Sequence, residues 1–327
     1  MSSDHALGEF DIIRQYFSSL TDSREDVITG IGDDCALLSP PAGKLLAVST
    51  DTLVSGRHFY ADVDPVSLGH KALAVNLSDL SAMGAEPAWA SLALTLPEVD
   101  QSWLKKFSQG FATLARQYDL QLIGGDTTQG PLAITITVHG LVDADKVIKR
   151  SGAQPGDLLF ISGCIGEAAR GLQLLNNKLQ VEETAWHALH YPQPRVLLGK
   201  SLAGIASAAI DISDGLLADA GHICESSACG AIVEINKLPV CECLKGLPSE
   251  NRLSLQLAGG DDYELCFTVP PEKVKQLAAI SEKTGVQLTQ IGVLDNSDNI
   301  KVVDAEGNQL QYDATGYQHF HEKTSKT

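Results

Sequence analysis

The sequence contains no run of about 18 apolar residues, which is the length that a membrane-spanning helix requires. Its first ten residues, MSSDHALGEF, have neither a basic start nor an apolar core and do not resemble a signal peptide. The seven cysteines are odd in number and form no CxxC pair, which argues against a disulfide framework and a structural zinc site. We therefore expect a cytoplasmic protein without a membrane span, in which Cys241 and Cys243 are ordinary thiols.

Positive charge is also scarce. The chain has 24 Lys and Arg residues against 41 Asp and Glu residues, and its formal net charge is -17. Such an acidic surface repels nucleic acid and anionic membranes, so neither is expected as a partner. A phosphorylated substrate would need metal ions or a local basic patch.

The familiar nucleotide-binding signatures are missing as well. The sequence has no G-x-x-x-x-G-K-[ST] loop, no HRD and DFG segments of a protein kinase, and no dinucleotide glycine fingerprint. If the chain binds a nucleotide, metal ions more than a glycine loop have to hold the phosphates.

The apolar pattern predicts a two-domain α/β protein. A length of 327 residues with 44% hydrophobic residues exceeds the usual size of one domain. Alternating apolar residues predict strands at 45–49, 89–96 and 132–142, and helical spacing predicts a helix over 66–83. Glycine and proline in KRSGAQPGD, residues 149–157, interrupt this pattern, so we expect domains at 1–148 and 149–327.

Five aspartates recur at the ends of apolar elements with Gly, Ser or Thr beside them: Asp34, Asp51, Asp79, Asp126 and Asp211. A single such aspartate often closes a turn, and Asp214 has the position of a helix cap. If the five converge, each pair about 4 Å apart repels by roughly 4 kcal/mol at an effective dielectric near 20, so divalent cations must be present. Oxygen ligands without His or Cys favour magnesium, which typically bridges to substrate phosphates.

Eight segments taken in order resemble the thiamine-monophosphate kinases, a family in the superfamily of aminoimidazole ribonucleotide synthetase and selenophosphate synthetase. They are GIGDDCALL, STDTLVSGRHF, KALAVNLSDLSAMGA, LIGGDTT, RSGAQPGD, DISDGL, GGDDYEL and the terminal GYQHF. The resemblance covers nearly the whole chain. It implies a two-domain α/β (α+β) fold, a homodimer whose amino-terminal sheets join in a β-barrel, and binding of ATP with several magnesium ions.

The resemblance also implies roles for particular residues of this sequence. The implied metal ligands are Asp34, Ser49, Thr50, Asp51, Asp79, Asp126, Asp211 and Asp214. The implied ATP contacts are Gly125, Asp126, Arg150 and Ser213, and the implied contacts with thiamine monophosphate are His58, Asp261 and Tyr317. Of these residues, Asp126, Arg150 and Asp214 would carry catalysis.

One position departs from the family pattern. The segment GGDDYEL has Asp261 where the family often has Glu, and its side chain is one methylene shorter. A direct contact of Asp261 with the substrate therefore stays open. For Arg150, a solvated linker arginine is the alternative, because arginines are common on surfaces.

The leading hypothesis is ATP-dependent phosphorylation of thiamine monophosphate to thiamine diphosphate by direct in-line transfer. A second hypothesis is another ATP-dependent synthetase of the superfamily, with a formylglycinamidine ribonucleotide or selenide as acceptor. The first 25 residues hold no Cys or Lys, which weakens the selenide case. A third hypothesis is a nucleotide-binding protein that turns nothing over.

Overall fold

The computed structural model describes residues 7–312 of the chain, which divides into two compact units. The first unit runs to Val147 and includes the later segment His190–Ala203, while the second comprises Ile148–Leu189 and continues from Gly204. The break after Val147 lies one residue before the boundary that the sequence predicts. The return of residues 190–203 to the first unit has no signal in the sequence.

The elements are numbered here in chain order. The helices are α1 Glu9–Ile12, α2 Pro65–Ala82, α3 Gln101–Gln117, α4 Glu167–Asn176, α5 Glu183–His190, α6 Val196–Leu202, α7 Leu216–Ser227, α8 Ser249–Ala258 and α9 Leu277–Thr284. The strands are β1 Val27–Thr29, β2 Leu37–Leu38, β3 Lys44–Val54, β4 Glu86–Leu96, β5 Gln121–Gln129, β6 Ala133–Asp143, β7 Leu158–Ser162, β8 Ala208–Asp211, β9 Gly230–Glu234, β10 Leu265–Val269, β11 Leu288–Asp295, β12 Ile300–Val303 and β13 Gln309–Leu310. A π-helical turn, Ile13–Phe17, continues α1, and 3-10 turns occupy Ile235–Lys237, Glu242–Leu244 and Pro271–Gln276. Within residues 7–312, no helix is long and apolar enough to cross a membrane.

The first unit is built on a four-stranded sheet in the order β3-β6-β4-β5. Strand β6 runs antiparallel to β3 and β4, and β5 runs parallel to β4. Helix α2 packs on one face of this sheet, and Leu73, Leu77 and Leu80 are fully buried there, as their helical spacing predicts. Strands β3 and β5 form the two edges of the sheet, a position that matters for the oligomeric state.

Helix α2 lies unusually close to its neighbours. A Cβ added to Gly69 would lie 2.1 Å from the carbonyl oxygen of Phe107, and one added to Gly110 would lie 1.9 Å from that of Val66. Helices α2 and α3 therefore meet backbone to backbone. This contact and the sheet bury α2 on nearly every side, polar residues included.

The segment 190–203 is fixed to the first unit by two hydrogen bonds. Nε2 of His70 in α2 donates to the carbonyl oxygen of Pro192 at 2.9 Å, and the hydroxyl of Tyr118 donates to that of Pro194 at 3.0 Å. Both donors come from residues far away in the sequence, so local pattern alone does not predict this packing.

The second unit has a seven-stranded sheet in the order β13-β12-β9-β11-β7-β10-β8. All of its strand pairs are antiparallel except β12 with β9. Helices α7 and α8 contact each other, and α7 also contacts β8 and β10. Each unit thus combines a sheet with helices, and the α/β class predicted from the sequence is confirmed.

The cysteines differ from the sequence-based prediction. The sulfur atoms of Cys164 and Cys241 are joined in a disulfide, with the two Cα atoms 5.9 Å apart, so the prediction that Cys241 is an ordinary thiol is wrong. Cys243 is free, as predicted. The pair spans 77 residues between two loops of the second unit, and spacing along a chain says nothing about such a contact.

Candidate active site

In the first unit, Asp51 and Asp79 form a pair of carboxylates. Ser49 and Asp51 are two apart on β3 and so point to the face that α2 covers, where Asp79 lies. The Ser49 hydroxyl donates to Oδ2 of Asp79 at 2.5 Å. Burial, the charge of Asp79 and a hydrogen bond with Asp79 raise the pKa of Asp51 to about 6. The negative charge of Asp79 thus favours a proton on Asp51. A cation bound at the pair would favour the ionised form of both carboxyls instead.

Asn76 holds the backbone of β3 at this pair. Its side chain is 1% exposed and lies one helical turn before Asp79. The backbone N–H of Asp51 donates to Oδ1 of Asn76 at 3.1 Å, and Nδ2 of Asn76 donates to the carbonyl oxygen of Ala72 at 3.0 Å. Both ends of the Asn76 amide are therefore used, and the register of β3 against α2 is fixed at Asp51.

Thr50 lies on the opposite face of β3. Its hydroxyl is 2.8 Å from that of Thr137, and the hydroxyls of Thr52 and Thr135 make the same contact two residues further along. Adjacent residues of a strand point to opposite faces, so the Thr50 side chain does not join the Asp51–Asp79 pair.

Asp126 is also separate from this pair. Strand pairing sets Asp126 beside Ala93 on β4, and Ala93 in turn faces Thr135 on β6. Strand β5 is three strand spacings from β3, or about 14 Å along the sheet. The exposed Asp126 therefore lies at the other edge of the sheet.

The residue before Asp126 has to be glycine. Gly125 has a φ of 151°, and a Cβ on it would lie 1.8 Å from the carbonyl oxygen of Leu92. A side chain at this position would push β5 away from β4.

Two other predicted residues of the first unit lie in turns. Asp34 is exposed, and its backbone N–H donates to the carboxylate of Asp33 at 2.8 Å, which is the turn chemistry that the sequence left open. His58 lies after β3, and its Nδ1 accepts from the backbone N–H of Val54 at 2.9 Å.

In the second unit, the segment Asp211-Ile212-Ser213-Asp214-Gly215 forms a turn between β8 and α7. Asp211 is buried at the end of β8. Oδ2 of Asp219, in the first turn of α7, accepts the backbone N–H groups of Ser213, Asp214 and Gly215 at 3.0, 3.0 and 3.1 Å. One carboxylate oxygen thus fixes the turn that displays Ser213 and Asp214.

Sequence reasoning missed Asp219. Its signal would have been an Asp four residues after the glycine that starts a helix, where a carboxylate reaches the free N–H groups of the first turn. Burial raises the pKa of Asp219 to about 7, although the three N–H groups act in the opposite direction.

The GGDD segment lies directly against this turn. The backbone N–H of Asp261 donates to the carbonyl oxygen of Ser213 at 2.9 Å, and a Cβ on Gly260 would lie 2.2 Å from the same oxygen. The Tyr263 hydroxyl donates to Oδ1 of Asp261 at 2.8 Å. Asp261 and Tyr263 have φ values of 73° and 53°, in the left-handed region that non-glycine residues seldom adopt. Such strain is typical of functional loops.

The second acid of this segment has a different role. Oδ2 of the partly buried Asp262 accepts the backbone N–H of Gly166 at 2.8 Å, which caps the start of α4. Burial raises the pKa of Asp262 well above its ordinary value. Asp262 thus caps α4, whereas the carboxyl of Asp261 accepts from the Tyr263 hydroxyl.

Arg150 belongs to the same region of the second unit. The carbonyl oxygen of Lys149 accepts the backbone N–H of Ala209 at 3.0 Å, which places the exposed Arg150 alongside β8, the strand that ends at Asp211. Arg150, Asp211, Ser213, Asp214 and Asp261 are therefore carried by adjoining segments. Tyr317 lies outside the described residues.

Comparisons with known proteins agree with both units. Residues 32–142 match the N-terminal domain of AIR synthase related protein, and residues 154–305 match its C-terminal domain. The thiamine-monophosphate kinase of Salmonella typhimurium is 51% identical over 322 residues, which cover 96% of this chain and 99% of that protein.

Two solved structures are similar over almost the full length. The thiamine-monophosphate kinase of Stenotrophomonas maltophilia K279a has 42% identity and a TM-score of 0.83, covering 92% of this chain and 96% of that one. AaThiL complexed with AMPPCP and TMP has 30% identity and a TM-score of 0.76, covering 96% of this chain and 97% of that one.

Proposed function

The chain belongs to the AIR synthase related family and, within it, to the thiamine-monophosphate kinases, and from this we propose that it phosphorylates thiamine monophosphate with ATP. The products are thiamine diphosphate and ADP. The observation that carries the proposal is the paired Asp51 and Asp79, which need a cation, in a chain 51% identical to a kinase over 96% of its length. The AaThiL complex with AMPPCP and TMP supports the same pair of ligands.

We propose magnesium as the cation. The residues fit it, because Ser49, Asp51 and Asp79 offer only oxygen atoms, and burial together with the charge of Asp79 raises the pKa of Asp51. Magnesium bound there would reduce the repulsion between phosphate groups. Asp34, Asp126, Asp211 and Asp214 remain proposed ligands. A role for Thr50 would have to come from its backbone, since its hydroxyl lies on the opposite face of β3.

The reaction requires positioning more than acid–base chemistry. The acceptor phosphate is largely ionised at neutral pH, so its oxygen attacks the γ-phosphorus in line without losing a proton to a strong base. Arg150 would bind phosphate through its planar guanidinium group. Gly125, Asp126 and Ser213 are proposed contacts of ATP, Asp214 is a proposed ligand of the metal, and Asp219 keeps the Ser213 turn in one conformation.

For the acceptor we propose His58, Asp261 and Tyr317. The bond from the Tyr263 hydroxyl to Oδ1 orients the carboxyl of Asp261. This arrangement offsets the shorter side chain at a position where the family often has Glu.

We also propose that the chain acts as a cytoplasmic homodimer. We propose the cytoplasm as the location of the chain because the reaction uses ATP, which is a cytoplasmic metabolite. The dimer is supported by the outer face of β3, where Leu46 and Val48 are exposed at an edge of the first unit's sheet. A second copy would cover these apolar side chains.

The test is a product assay. Incubating the pure chain with magnesium, ATP and thiamine monophosphate should yield thiamine diphosphate and ADP, measured by chromatography. Formation of neither product would refute the proposal. ADP released with another acceptor would point to a synthetase of the same superfamily, and binding of ATP without ADP release under any condition would point to a non-catalytic protein.

A further inference from the structure

The disulfide of Cys164 and Cys241 lies beside the loop that carries Asp261. Cys164 is in the turn between β7 and α4, and Cys241 directly precedes the 3-10 turn Glu242–Leu244. Cys241 is 5% exposed, whereas Cys164 is half-buried. Of the two residues, Cys164 is thus the more accessible to a reagent in solution.

The turn that contains Cys164 is bonded to the Asp261 loop on both sides. After Cys164, the backbone N–H of Gly166 donates to Asp262 at 2.8 Å. Before it, the hydroxyl of Ser162 accepts the backbone N–H of Leu265 at 2.8 Å. A displacement of this turn is therefore passed to the residues that follow Asp261.

The turn has little room to absorb such a displacement. A Cβ on Gly163 would lie 2.2 Å from a carboxylate oxygen of Glu264, and a Cβ on Gly166 would lie 3.0 Å from the backbone of Leu255. When the disulfide opens, its two sulfurs must separate to van der Waals contact. In so close a packing, the turn and the attached loop have to move with them.

We propose that Cys164 and Cys241 form a reversible thiol–disulfide site that sets the position of the Asp261 loop and, through it, the affinity for thiamine monophosphate. The proposal rests on the proposed function, which assigns Asp261 to this substrate. Disulfides in reducing compartments are typically transient and regulatory, which suits a site of this kind.

The oxidant is a small-molecule disulfide such as oxidised glutathione. The Cys164 thiolate attacks one of its sulfurs, which releases one thiol and leaves a mixed disulfide on Cys164. The Cys241 sulfur loses its proton, attacks Cys164 Sγ and releases the second thiol. Two electrons pass from the two cysteines to the reagent, and the two thiol products carry the two protons.

The third cysteine nearby does not compete. Cys243 Sγ lies 3.5 Å from a carboxylate oxygen of Glu167, and burial raises the pKa of Cys243 to about 12. Its thiol therefore stays protonated and unreactive at neutral pH. The exposed Cys35 of the first unit provides a control for oxidation outside the pair.

The first measurement counts free thiols. The pure chain is equilibrated in glutathione buffers of rising oxidised share, alkylated and analysed by peptide mass spectrometry. Alkylation after unfolding in denaturant should label all seven cysteines from the reduced buffer, whereas Cys164 and Cys241 should be lost together from the oxidised one. A pair that stays reduced while Cys35 alone is modified would overturn the proposal.

The second measurement is kinetic and uses the same buffers. Reduction of the Cys164–Cys241 disulfide should raise KM for thiamine monophosphate about threefold to tenfold, with little change in kcat. A change of this size is expected when about one hydrogen bond to the substrate is lost. Cys164→Ser and Cys241→Ser should show, in every buffer, the higher KM of the chain without the disulfide. Cys35→Ser should respond to the buffers like the unmodified chain. If the buried Cys241→Ser variant does not fold, Cys164→Ser decides alone.

Two results separate this proposal from the proposed function. A disulfide that forms without changing KM refutes the link to Asp261. Absence of turnover in both states refutes the kinase, while the alkylation pattern still decides whether the pair forms.

Discussion

At the scale of single residues, Asp51 carries the clearest electrostatic cost. Its pKa of about 6 lies above the ordinary 3.8, so in the metal-free chain its ionised form opposes folding at neutral pH. Asp51→Asn should therefore stabilise the metal-free chain by up to about 2 kcal/mol at pH 7. The gain should shrink as the pH falls through about 6, because the folded chain then holds the proton. Thermal unfolding in a chelator measures it.

The same change should remove activity. Without the Asp51 charge, magnesium binds weakly and turnover falls by about 100-fold or more. For the melting measurement, Asp126→Asn is the matched control. The exposed Asp126 lies about 14 Å along the sheet from the pair, so loss of its charge should not raise the melting temperature. An Asp51→Asn chain with the normal melting temperature and normal turnover would remove Asp51 from the site.

Asp219 acts on a turn and touches no substrate in our proposal, so it is a positioning residue. Asp219→Ala leaves three N–H groups without their acceptor and should cost about 1–3 kcal/mol of folding free energy. A looser Ser213 turn should raise KM for ATP more than KM for thiamine monophosphate. Asp219→Asn keeps an acceptor oxygen and should recover most of the ATP affinity. Equal loss for both substrates would indicate a purely structural role.

At the scale of elements, the contact between α2 and α3 depends on two glycines. Gly69→Ala would place a Cβ 2.1 Å from a backbone oxygen of α3, which forces the helices apart and should cost at least about 2 kcal/mol. Gly221→Ala in α7 is the control, because its nearest atom is 4.0 Å away and alanine favours a helix. Denaturant unfolding should show opposite signs for the two variants, and two stabilised variants would contradict the close approach.

Local pattern was enough to predict the elements that build the site. The helix predicted over 66–83 is α2, and the strand predicted over 45–49 lies within β3, because burial on one side imposes a period that the sequence displays. The same period predicts that Ser49 and Thr50 point to opposite faces of β3. The metal ligands implied by the family resemblance nevertheless include both residues. The Asp51–Asp79 contact was predicted only as part of a larger cluster.

Contacts between distant segments were beyond such reasoning. The packing of residues 190–203 on α2, the pairing of Cys164 with Cys241 and the separation of Asp126 from Asp51 all depend on how whole elements are arranged. The order of strands in a sheet depends on how whole faces of sheets and helices are buried, and a short sequence motif does not predict it. The place of Asp219 could have been found from its spacing to Gly215.

At the scale of the whole molecule, the apolar outer face of β3 leads to our prediction of a homodimer. Val48 is 55% exposed on an edge strand, an arrangement that invites pairing with another chain. Val48→Lys should leave the protomer folded, because more than half of this residue is exposed, yet it should introduce a charge into the proposed interface.

Light scattering at micromolar concentration should give twice the chain mass for the unmodified protein and the mass of one chain for Val48→Lys. Leu172→Lys in α4, where the leucine is 40% exposed, is the matched control and should remain a dimer. The charge acts on association because a lysine buried without a partner loses its hydration, a penalty that exceeds the apolar gain of one valine. A single-chain mass for the unmodified protein would refute the dimer, and a Val48→Lys chain that still dimerises would place the interface elsewhere.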